Sequence, residues 1–335
     1  MKNTILFIPI LASFFITLFL TPFWIKRAKR AGITGKDVHK IENIEIAESG
    51  GIPVLTGFIL GLTVFIAIQT FVFNSKSNFT EIFALLSVII MLALLGFTDD
   101  IFGWKIGLNK KTRLILVLFS SIPLMAINAG RSDISIPLFG TIDLGIVYPI
   151  IFIPIGIIGA TTTFNFLAGY NGLEAGQGIL LLSALGIVAF LTGNSWLAII
   201  ALCMIASLIA FIFYNFYPAK VFPGDSLTYA VGGLIAVMAI LGNFERIAVF
   251  FFIPYILETG LKLRGKLLKQ SFSKPKIDGT LDLMYNKIYG LEHVAVWLMK
   301  RSKIKPTEKK VVFSIWTFQI LIIILGFILF RKIIF

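Results

Sequence analysis

The sequence contains little charge for its length. Of its 335 residues only 14% are Asp, Glu, Lys or Arg, whereas 57% are hydrophobic. About a quarter of the residues in soluble domains are charged, so this chain cannot cover one or two soluble domains with a polar surface. The low charge excludes that class and indicates a protein embedded in a lipid bilayer.

Cysteine and several well-known enzyme motifs are also missing. Cys203 is the only cysteine, so the chain cannot form an internal disulfide. The sequence contains no HExxH, GxSxG, paired CxxC or GxxxxGK[ST] pattern. A zinc protease, a serine hydrolase and a P-loop nucleotide-binding protein therefore have no support.

Long apolar runs dominate what is present. A helix needs about 20 apolar residues to cross the hydrocarbon core of a bilayer. Ten candidate runs occur, at 4–24, 52–73, 81–98, 112–129, 145–164, 177–193, 195–214, 226–242, 246–262 and 310–330. They predict an all-α, polytopic bundle of about ten transmembrane helices, with residues 1–335 forming a single integral membrane domain.

The basic residues lie mostly on one side of this predicted bundle. The connections on that side are 25–51, 99–111, 165–176, 215–225 and 263–309, and with their helix edges they hold 24 of the 30 Lys and Arg residues. The positive-inside rule places them in the cytoplasm, and an even helix count then leaves both termini outside. The net charge of +13 is thus explained by topology in a cell membrane, and no nucleic-acid partner is needed.

Two connections predict structure of their own. Residues 133–142 alternate apolar and polar around Phe139-Gly140, which predicts a small external β-hairpin. The long cytoplasmic loop before the last helix contains 281–300, whose apolar spacing favours an interfacial helix. A solvated basic loop that serves only topology is the alternative for this stretch.

Polar residues gather at the cytoplasmic helix ends, first in GFTDD at 96–100. Acidic residues at a membrane helix end are costly and indicate function. In a helix Asp99 and Asp100 would point about 100° apart and serve different partners. They suit Mg²⁺ or a base with a charge partner. A solvated helix end is the alternative, although carboxylates there oppose the helix dipole.

A second polar cluster is NFLAGYNGLEAGQG, residues 165–178, which contains no Lys or Arg. Asn165 and Asn171 offer carbonyl oxygens that a hard metal accepts, and Glu174 adds a carboxylate. Its glycines allow the backbone to approach a phosphate or a ring closely. A helix–helix hydrogen bond and a glycine turn are the structural alternative.

Two further clusters complete this side. In YPAKVFPGDS, residues 217–226, Asp225 is either the N-cap of the next helix or a metal ligand, and Phe222 either packs on lipid or stacks on a base. Loop 36–51 contains Glu48 and His39, and we expect His39 to be a surface histidine. Together, the clusters suit a doubly substituted phosphate bound to Mg²⁺ beside a substrate held in lipid, because phosphoryl transfer requires positioning and charge neutralisation.

Four motifs in this order resemble the polyprenyl-phosphate N-acetylhexosamine-1-phosphate transferase family. They are AESGG at 47–51, GFTDD at 96–100, NFLAGYNGLEAGQ at 165–177 and YNFYPAKVFPGD at 214–225. The chain most resembles the eukaryotic and archaeal branch, which uses UDP-GlcNAc and dolichyl phosphate. The bacterial phospho-MurNAc-pentapeptide transferases are more distant members.

The resemblance implies a role for each candidate residue. It implies that Asn165 and Asp225 hold Mg²⁺, with Mn²⁺ as a substitute, and that Asn171 and Phe222 bind the uracil. It places Asp99 and Asp100 at the reaction centre and the diphosphate on Lys111 or Arg113. It implies further substrate contacts from Glu48 and Glu174. The implied reaction transfers GlcNAc-1-phosphate from UDP-GlcNAc to a polyprenyl (dolichyl) phosphate, the first step of lipid-linked oligosaccharide synthesis for protein N-glycosylation. A homodimer is a candidate assembly.

Two departures from the family pattern leave alternatives open. Thr162 replaces the first Asn of an NxxN motif, and the last cytoplasmic loop lacks a His/Arg-rich sugar-reading motif, having His293 and Arg301 among scattered lysines. Another UDP-N-acetylhexosamine, or undecaprenyl phosphate in cell-envelope polysaccharide synthesis, is therefore the runner-up. A secondary transporter is a remote alternative, because its carboxylates would sit at mid-helix.

Overall fold

The structure, a computed structural model, describes residues 2–42, 44–136 and 140–334. Its α-helices are α1 (Lys2–Ile5), α2 (Phe7–Ala31), α3 (Gly51–Phe71), α4 (Phe79–Ile106), α5 (Lys110–Ser120), α6 (Ile122–Ala126), α7 (Ile153–Phe164), α8 (Leu173–Leu191), α9 (Ser195–Asn215), α10 (Gly224–Gly242), α11 (Glu245–Phe251), α12 (Ile253–Arg264), α13 (Leu291–Arg301), α14 (Glu308–Leu329) and α15 (Arg331–Ile334). The strands are β1 (Thr34–Lys36), β2 (Glu45–Ala47), β3 (Asp133–Ile136), β4 (Gly140–Asp143), β5 (Ser273–Pro275) and β6 (Leu281–Leu283), paired as three antiparallel hairpins.

Seven helices in the described part of the chain are long and apolar enough to cross a membrane. They are α2, α3, α4, α8, α9, α10 and α14. Large apolar side chains remain exposed around them, for example Phe19 at 64%, Phe71 at 81% and Phe213 at 65%. Such surfaces suit lipid and not water, and the prediction of an all-α polytopic membrane protein is confirmed.

The other three predicted spans are helical but broken. Segment 112–129 divides into α5 and α6, segment 145–164 is a π-helix (Tyr148–Phe152) followed by α7, and segment 246–262 divides into α11 and α12. A proline lies in the first turn of α6, α7 and α12. Proline has no N–H to donate to the preceding turn, so each helix restarts there.

Small residues bring the helices together inside the bundle. Gly57 and Gly61 of α3 face Thr17 and Ser13 of α2, so closely that a Cβ on either glycine would collide with the facing hydroxyl. Spacing small residues four apart is a common way for membrane helices to approach each other. The buried side of α2 is accordingly small and polar, while its lipid side is rich in phenylalanine.

Of the two predicted loop structures, the structure confirms the first and corrects part of the second. The hairpin is confirmed, with β3 and β4 paired from Asp133↔Asp143 onward; Gly140 opens the second strand, and Phe139 lies outside the described residues. The helix predicted over 281–300 is wrong in its first half. There β5 and β6 form a hairpin whose turn contains Gly279 at φ +74°, and α13 begins only after the extended Gly290.

Helix α10 is the centre of the bundle and carries the site at its N-terminus. It packs against α3, α4, α7 and α8, and 83% of the residues in its apolar stretch are buried. Segment 47–51 lies directly over its beginning, because Ala47 pairs with Val221 and the Gly51 N–H donates to the Pro223 carbonyl at 2.8 Å.

Candidate active site

A cavity of about 830 Å³ opens at the N-terminal end of α10. Each of the five predicted cytoplasmic connections contributes to its lining, so these connections meet on one side of the bundle. The predicted site residues that line it are Glu48, Asp99, Asp100, Arg113, Asn165, Asn171, Glu174, Phe222 and Asp225. A concave pocket with several convergent polar groups is the expected form of an active site.

Lys111 is the one predicted site residue outside the lining. It is exposed at the start of α5, whereas Arg113, two residues later, faces the cavity. The Arg113 guanidinium ion-pairs with Asp99, and its Nη1 lies 3.9 Å from Oδ2 of Asp225. Of the two candidate cations for a diphosphate, the structure therefore brings only Arg113 to the other site residues.

Asp99 and Asp100 serve different partners, as their helical spacing predicted. Asp99 accepts from the Leu108 N–H at 2.8 Å and pairs with Arg113. Asp100 points towards α10. The prediction that helix α4 ends near residue 98 is wrong, because α4 continues to Ile106. The carboxylates therefore do not oppose a helix C-terminus.

Of the two roles predicted for Asp225, N-cap or metal ligand, the N-cap role is wrong. Helix α10 begins at Gly224, and no side-chain cap hydrogen bond is made by its N-cap residue, Pro223. Asp100, which belongs to α4, caps α10 instead: its carboxylate accepts the N–H of Asp225 at 2.7 Å and that of Ser226 at 3.3 Å. The Asp225 carboxylate, 26% exposed, is left to face the cavity.

Asn165 is fixed beside Asp225 by a threonine. The hydroxyl of Thr228, one turn into α10, lies 3.0 Å from Oδ1 of Asn165 and 3.3 Å from the backbone carbonyl of Asp225. Asn165 is the C-cap residue of α7, Asp225 lies in the first turn of α10, and both line the cavity. Carboxylate and amide oxygens are the donors that Mg²⁺ prefers.

Glycines permit this close assembly of motifs. A Cβ on Gly96 would collide with the backbone of Asp225, and one on Gly51 with the backbone of Leu227. Gly224 has φ +71°, and a Cβ added there would collide with the Asp100 carboxylate. These glycines let segments 47–51, 96–100 and 221–225 touch through their backbones.

Gly224→Ala tests this packing. The left-handed φ costs about 1 kcal/mol for a residue with a Cβ, and the added methyl would displace Asp100 from the start of α10. We expect turnover to fall at least about 10-fold and the thermal unfolding midpoint to drop. Gly193→Ala is the matched control, because Gly193 has φ +85° but nothing within 4 Å of the added carbon; equal losses in both variants would show that strain alone is responsible.

Segment 165–172 forms the cavity wall beside Asn171. Gly169 and Gly172 adopt φ +103° and +87°, and the Gly169 N–H donates to Oε1 of Glu174 at 2.7 Å. Glu174 lies in the first turn of α8, not in a loop as predicted, because α8 starts at Leu173. It therefore braces the turn that presents Asn171.

Two groups in the first connection have shifted pKa values. Burial, and to a smaller extent repulsion from Asp100, raises the pKa of Glu48 to about 7. Burial lowers the pKa of His39 to about 4. The prediction of a surface histidine is wrong: His39 is 5% exposed and its ring lies 4.0 Å from that of Tyr170.

An ion network that sequence reasoning missed lies behind Asn171. Asp37, His39 and Glu308 each place a possible ligand atom within 4.8 Å of the others. Lys40 already neutralises the two carboxylates, with its Nζ 2.8 Å from Glu308 and 3.7 Å from Asp37. The group is therefore an internal salt bridge between distant segments, and the spacing from 37 to 308 gave no signal for it.

Residues 270–272 form another wall that the sequence did not reveal. The Lys262 ammonium donates to the Ser271 hydroxyl at 2.8 Å, and a ring nitrogen of His293 lies 3.0 Å from the Phe272 carbonyl. His293 is fully buried behind the wall. Its position gives it a supporting contact and not a place in the cavity lining.

The chain is similar to a known family and to several named proteins. Residues 82–243 match the family described as glycosyl transferase family 4. A relative from Saccharolobus solfataricus, provisionally named UDP-N-acetylglucosamine–dolichyl-phosphate N-acetylglucosaminephosphotransferase, is 37% identical over 331 residues, 98% of each chain. The Dictyostelium discoideum protein of that name is 31% identical over 72% of this chain and 67% of its own.

A bacterial protein also matches over most of its length. The phospho-N-acetylmuramoyl-pentapeptide-transferase of Halalkalibacterium halodurans is 30% identical over 79% of this chain and 86% of its own. The archaeal relative is more similar and aligns almost from end to end. On this similarity the chain belongs to glycosyl transferase family 4.

Proposed function

We propose that the chain transfers GlcNAc-1-phosphate from UDP-GlcNAc to a polyprenyl (dolichyl) phosphate and releases UMP. The observation that carries the proposal is the convergence of nine predicted site residues on one cavity beside membrane-spanning helices. The names of the archaeal and Dictyostelium relatives support this donor and acceptor. The product, a polyprenyl-diphosphate-GlcNAc, would begin lipid-linked oligosaccharide synthesis for protein N-glycosylation.

Mg²⁺ fits the residues at the N-terminus of α10. Asp99, Asp100 and Asp225 lie there, and in the described part of the chain Arg113 is the arginine that pairs with two of them, Asp99 and Asp225. The oxygen-only donors and the excess of negative charge suit a hard divalent cation. Asn165 and Asp225 would hold it, and when bound it would neutralise charge on the diphosphate.

The helix end itself does not offer a free anion site. A helix N-terminus commonly binds phosphate through its free N–H groups, but Asp100 already accepts two of those of α10. Of the two cations predicted for the diphosphate, Arg113 is the one in the cavity lining, and its guanidinium can make two parallel hydrogen bonds to a phosphate.

Direct attack by the acceptor is the reaction that this arrangement favours. A phosphate monoester has a charge of about −1.5 to −2 at pH 7, so an oxygen of the lipid phosphate needs no general base. It would attack the β-phosphorus of UDP-GlcNAc while the bond from that phosphorus to the bridging oxygen breaks, and UMP leaves. Asp99 is a poor covalent nucleophile, since both its oxygens are engaged by Leu108 and Arg113.

The other side of the cavity suits the nucleotide. Asn171 offers a side-chain amide, and Phe222 is a half-buried ring in the lining whose backbone is fixed by hydrogen bonds to Ala47 and Gly50. A base could stack on that ring and bond to that amide. Glu48 and Glu174 would then contact or brace the remaining donor groups.

The distribution of Lys and Arg residues supports a location for the protein and an orientation for its cavity. We propose a multi-pass protein of the cell membrane with its cavity on the cytoplasmic face, because the cavity lies among the connections that hold most of the Lys and Arg residues. A homodimer remains part of the proposal. A secondary transporter is disfavoured, since Asp225 lies in the first turn of α10 and Asp99 and Asp100 lie in the last third of α4, away from mid-helix.

A donor and acceptor panel tests the proposed function. Purified protein would be incubated with UDP-GlcNAc, UDP-GalNAc or UDP-MurNAc-pentapeptide, each with dolichyl or undecaprenyl phosphate, and the lipid products identified by mass. We expect polyprenyl-diphosphate-GlcNAc, formed fastest with dolichyl phosphate. A strong preference for UDP-GalNAc or UDP-MurNAc-pentapeptide would refute the donor assignment, and one for undecaprenyl phosphate would favour the cell-envelope alternative.

A further inference from the structure

The side-chain amide of Asn171 is held by a buried carboxylate. Its Nδ2 donates to Oδ2 of Asp37 at 3.1 Å, and its backbone N–H donates to Oε1 of Glu308 at 2.9 Å. Asn171 is 3% exposed, Asp37 7% and Glu308 4%. The three residues come from connections more than 130 positions apart, so only the folded chain creates this contact.

Asp37 can only accept a hydrogen bond from this amide and cannot donate one to it. An ionised carboxylate accepts hydrogen bonds and cannot donate them. Oδ1 of Asp37 accepts the backbone N–H of His39 at 3.1 Å, and the Lys40 ammonium lies 3.7 Å from Oδ2. These two contacts hold the Asp37 carboxylate in place as an acceptor.

This constraint determines which way the Asn171 amide points. Its NH₂ group must face Asp37, so its carbonyl oxygen Oδ1 points elsewhere. Among the described residues no group donates a hydrogen bond to Oδ1, and Oδ1 is not fully buried. Because Asn171 lines the cavity, Oδ1 is accessible to a ligand there, and no described residue other than Asp37 accepts a hydrogen bond from the amide nitrogen.

The orientation matters because uracil and cytosine present opposite patterns. Uracil has a carbonyl acceptor at position 4 and an N–H donor at position 3, whereas cytosine has an amino donor at position 4 and an acceptor at position 3. A primary amide can pair with either edge, but only after a 180° flip that exchanges its oxygen and nitrogen. Fixing the flip therefore fixes which base is read.

We infer that Asp37 is a positioning residue that locks the amide orientation of Asn171 and thereby selects uridine over cytidine nucleotides. The inference rests on the proposed binding of a uridine nucleotide by Asn171. Asp37 itself does not touch the base; it acts by removing the flipped state of the amide. Sites that bind a substrate through specific hydrogen bonds reject analogues that leave those groups unpaired.

Binding of UMP and CMP to purified full-length protein, measured by titration calorimetry, tests the inference. We expect the wild type to bind UMP about 100-fold more tightly than CMP. Asp37→Asn keeps the shape of the side chain but can also donate, so the amide can flip, and Asp37→Ala removes the acceptor. In either variant that remains folded in detergent, we expect the UMP-to-CMP preference to fall by about 10-fold or more.

Glu42→Gln is the matched control, because Glu42 is an exposed acidic residue of the same connection; its preference should equal that of the wild type. In turnover assays the Asp37 variants should raise KM for UDP-GlcNAc more than they lower kcat. A wild type that binds neither nucleotide would overturn the proposed function and this inference with it. A wild-type preference that both Asp37 variants retain would overturn the inference alone.

Discussion

Asp225→Asn is expected to abolish most turnover while leaving the fold intact. The substitution removes a negative charge from a group of oxygen donors that fits a divalent cation, and losing one such interaction costs on the order of 100-fold or more in rate. Because Asp225 does not cap α10 and lies close to Asp99 and Asp100, its neutralisation relieves repulsion. The unfolding midpoint in detergent should therefore stay level or rise, and added Mg²⁺ should restore turnover only in part.

Two companion variants give this result its meaning. Asp133→Asn, at the exposed start of strand β3, is expected to behave like the wild type. Asp100→Ala removes the carboxylate that caps α10, so it should lower stability by about 0.5–2 kcal/mol. Near wild-type turnover and unchanged Mg²⁺ dependence in Asp225→Asn would refute the metal assignment.

Arg113→Gln is expected to lower kcat/KM for UDP-GlcNAc by on the order of 100-fold. The Arg113 guanidinium is the cation that pairs with Asp99 and approaches Asp225. Without it the diphosphate would meet uncompensated carboxylates. Steady-state kinetics with varied UDP-GlcNAc measure the effect directly.

Lys111→Gln decides between the two basic residues that the motif alignment left open. Lys111 is exposed and lies outside the cavity lining, so its loss should change kcat/KM by less than about 3-fold, as expected for a solvated charge. A severe defect in Lys111→Gln with a mild one in Arg113→Gln would reverse the assignment.

Short-range information in the sequence was enough for much of the site. Apolar runs of membrane-spanning length and the bias of Lys and Arg showed which connections share a side. The 100° turn per helical residue predicted that Asp99 and Asp100 diverge. These inferences hold because each depends on residues within one helix or on one composition signal.

Contacts between distant segments could not be read in the same way. An Asp before an apolar run looks like an N-cap, yet α10 is capped by Asp100 from 125 positions away. Nothing near Asn171 in sequence indicated that Asp37 and Glu308 would hold it. The prolines of the broken spans were visible, but whether a proline breaks or merely kinks a helix depends on its neighbours.

The fate of the β-phosphate tests the central claim most directly. UDP-GlcNAc labelled with ³²P at the β-phosphate would be incubated with purified protein, Mg²⁺ and dolichyl phosphate, with Asp225→Asn run in parallel. The proposed reaction carries the label into the lipid and releases unlabelled UMP, and the variant should transfer little. Label that remains in UDP while sugar reaches the lipid, or label that enters no lipid at all, would contradict the account.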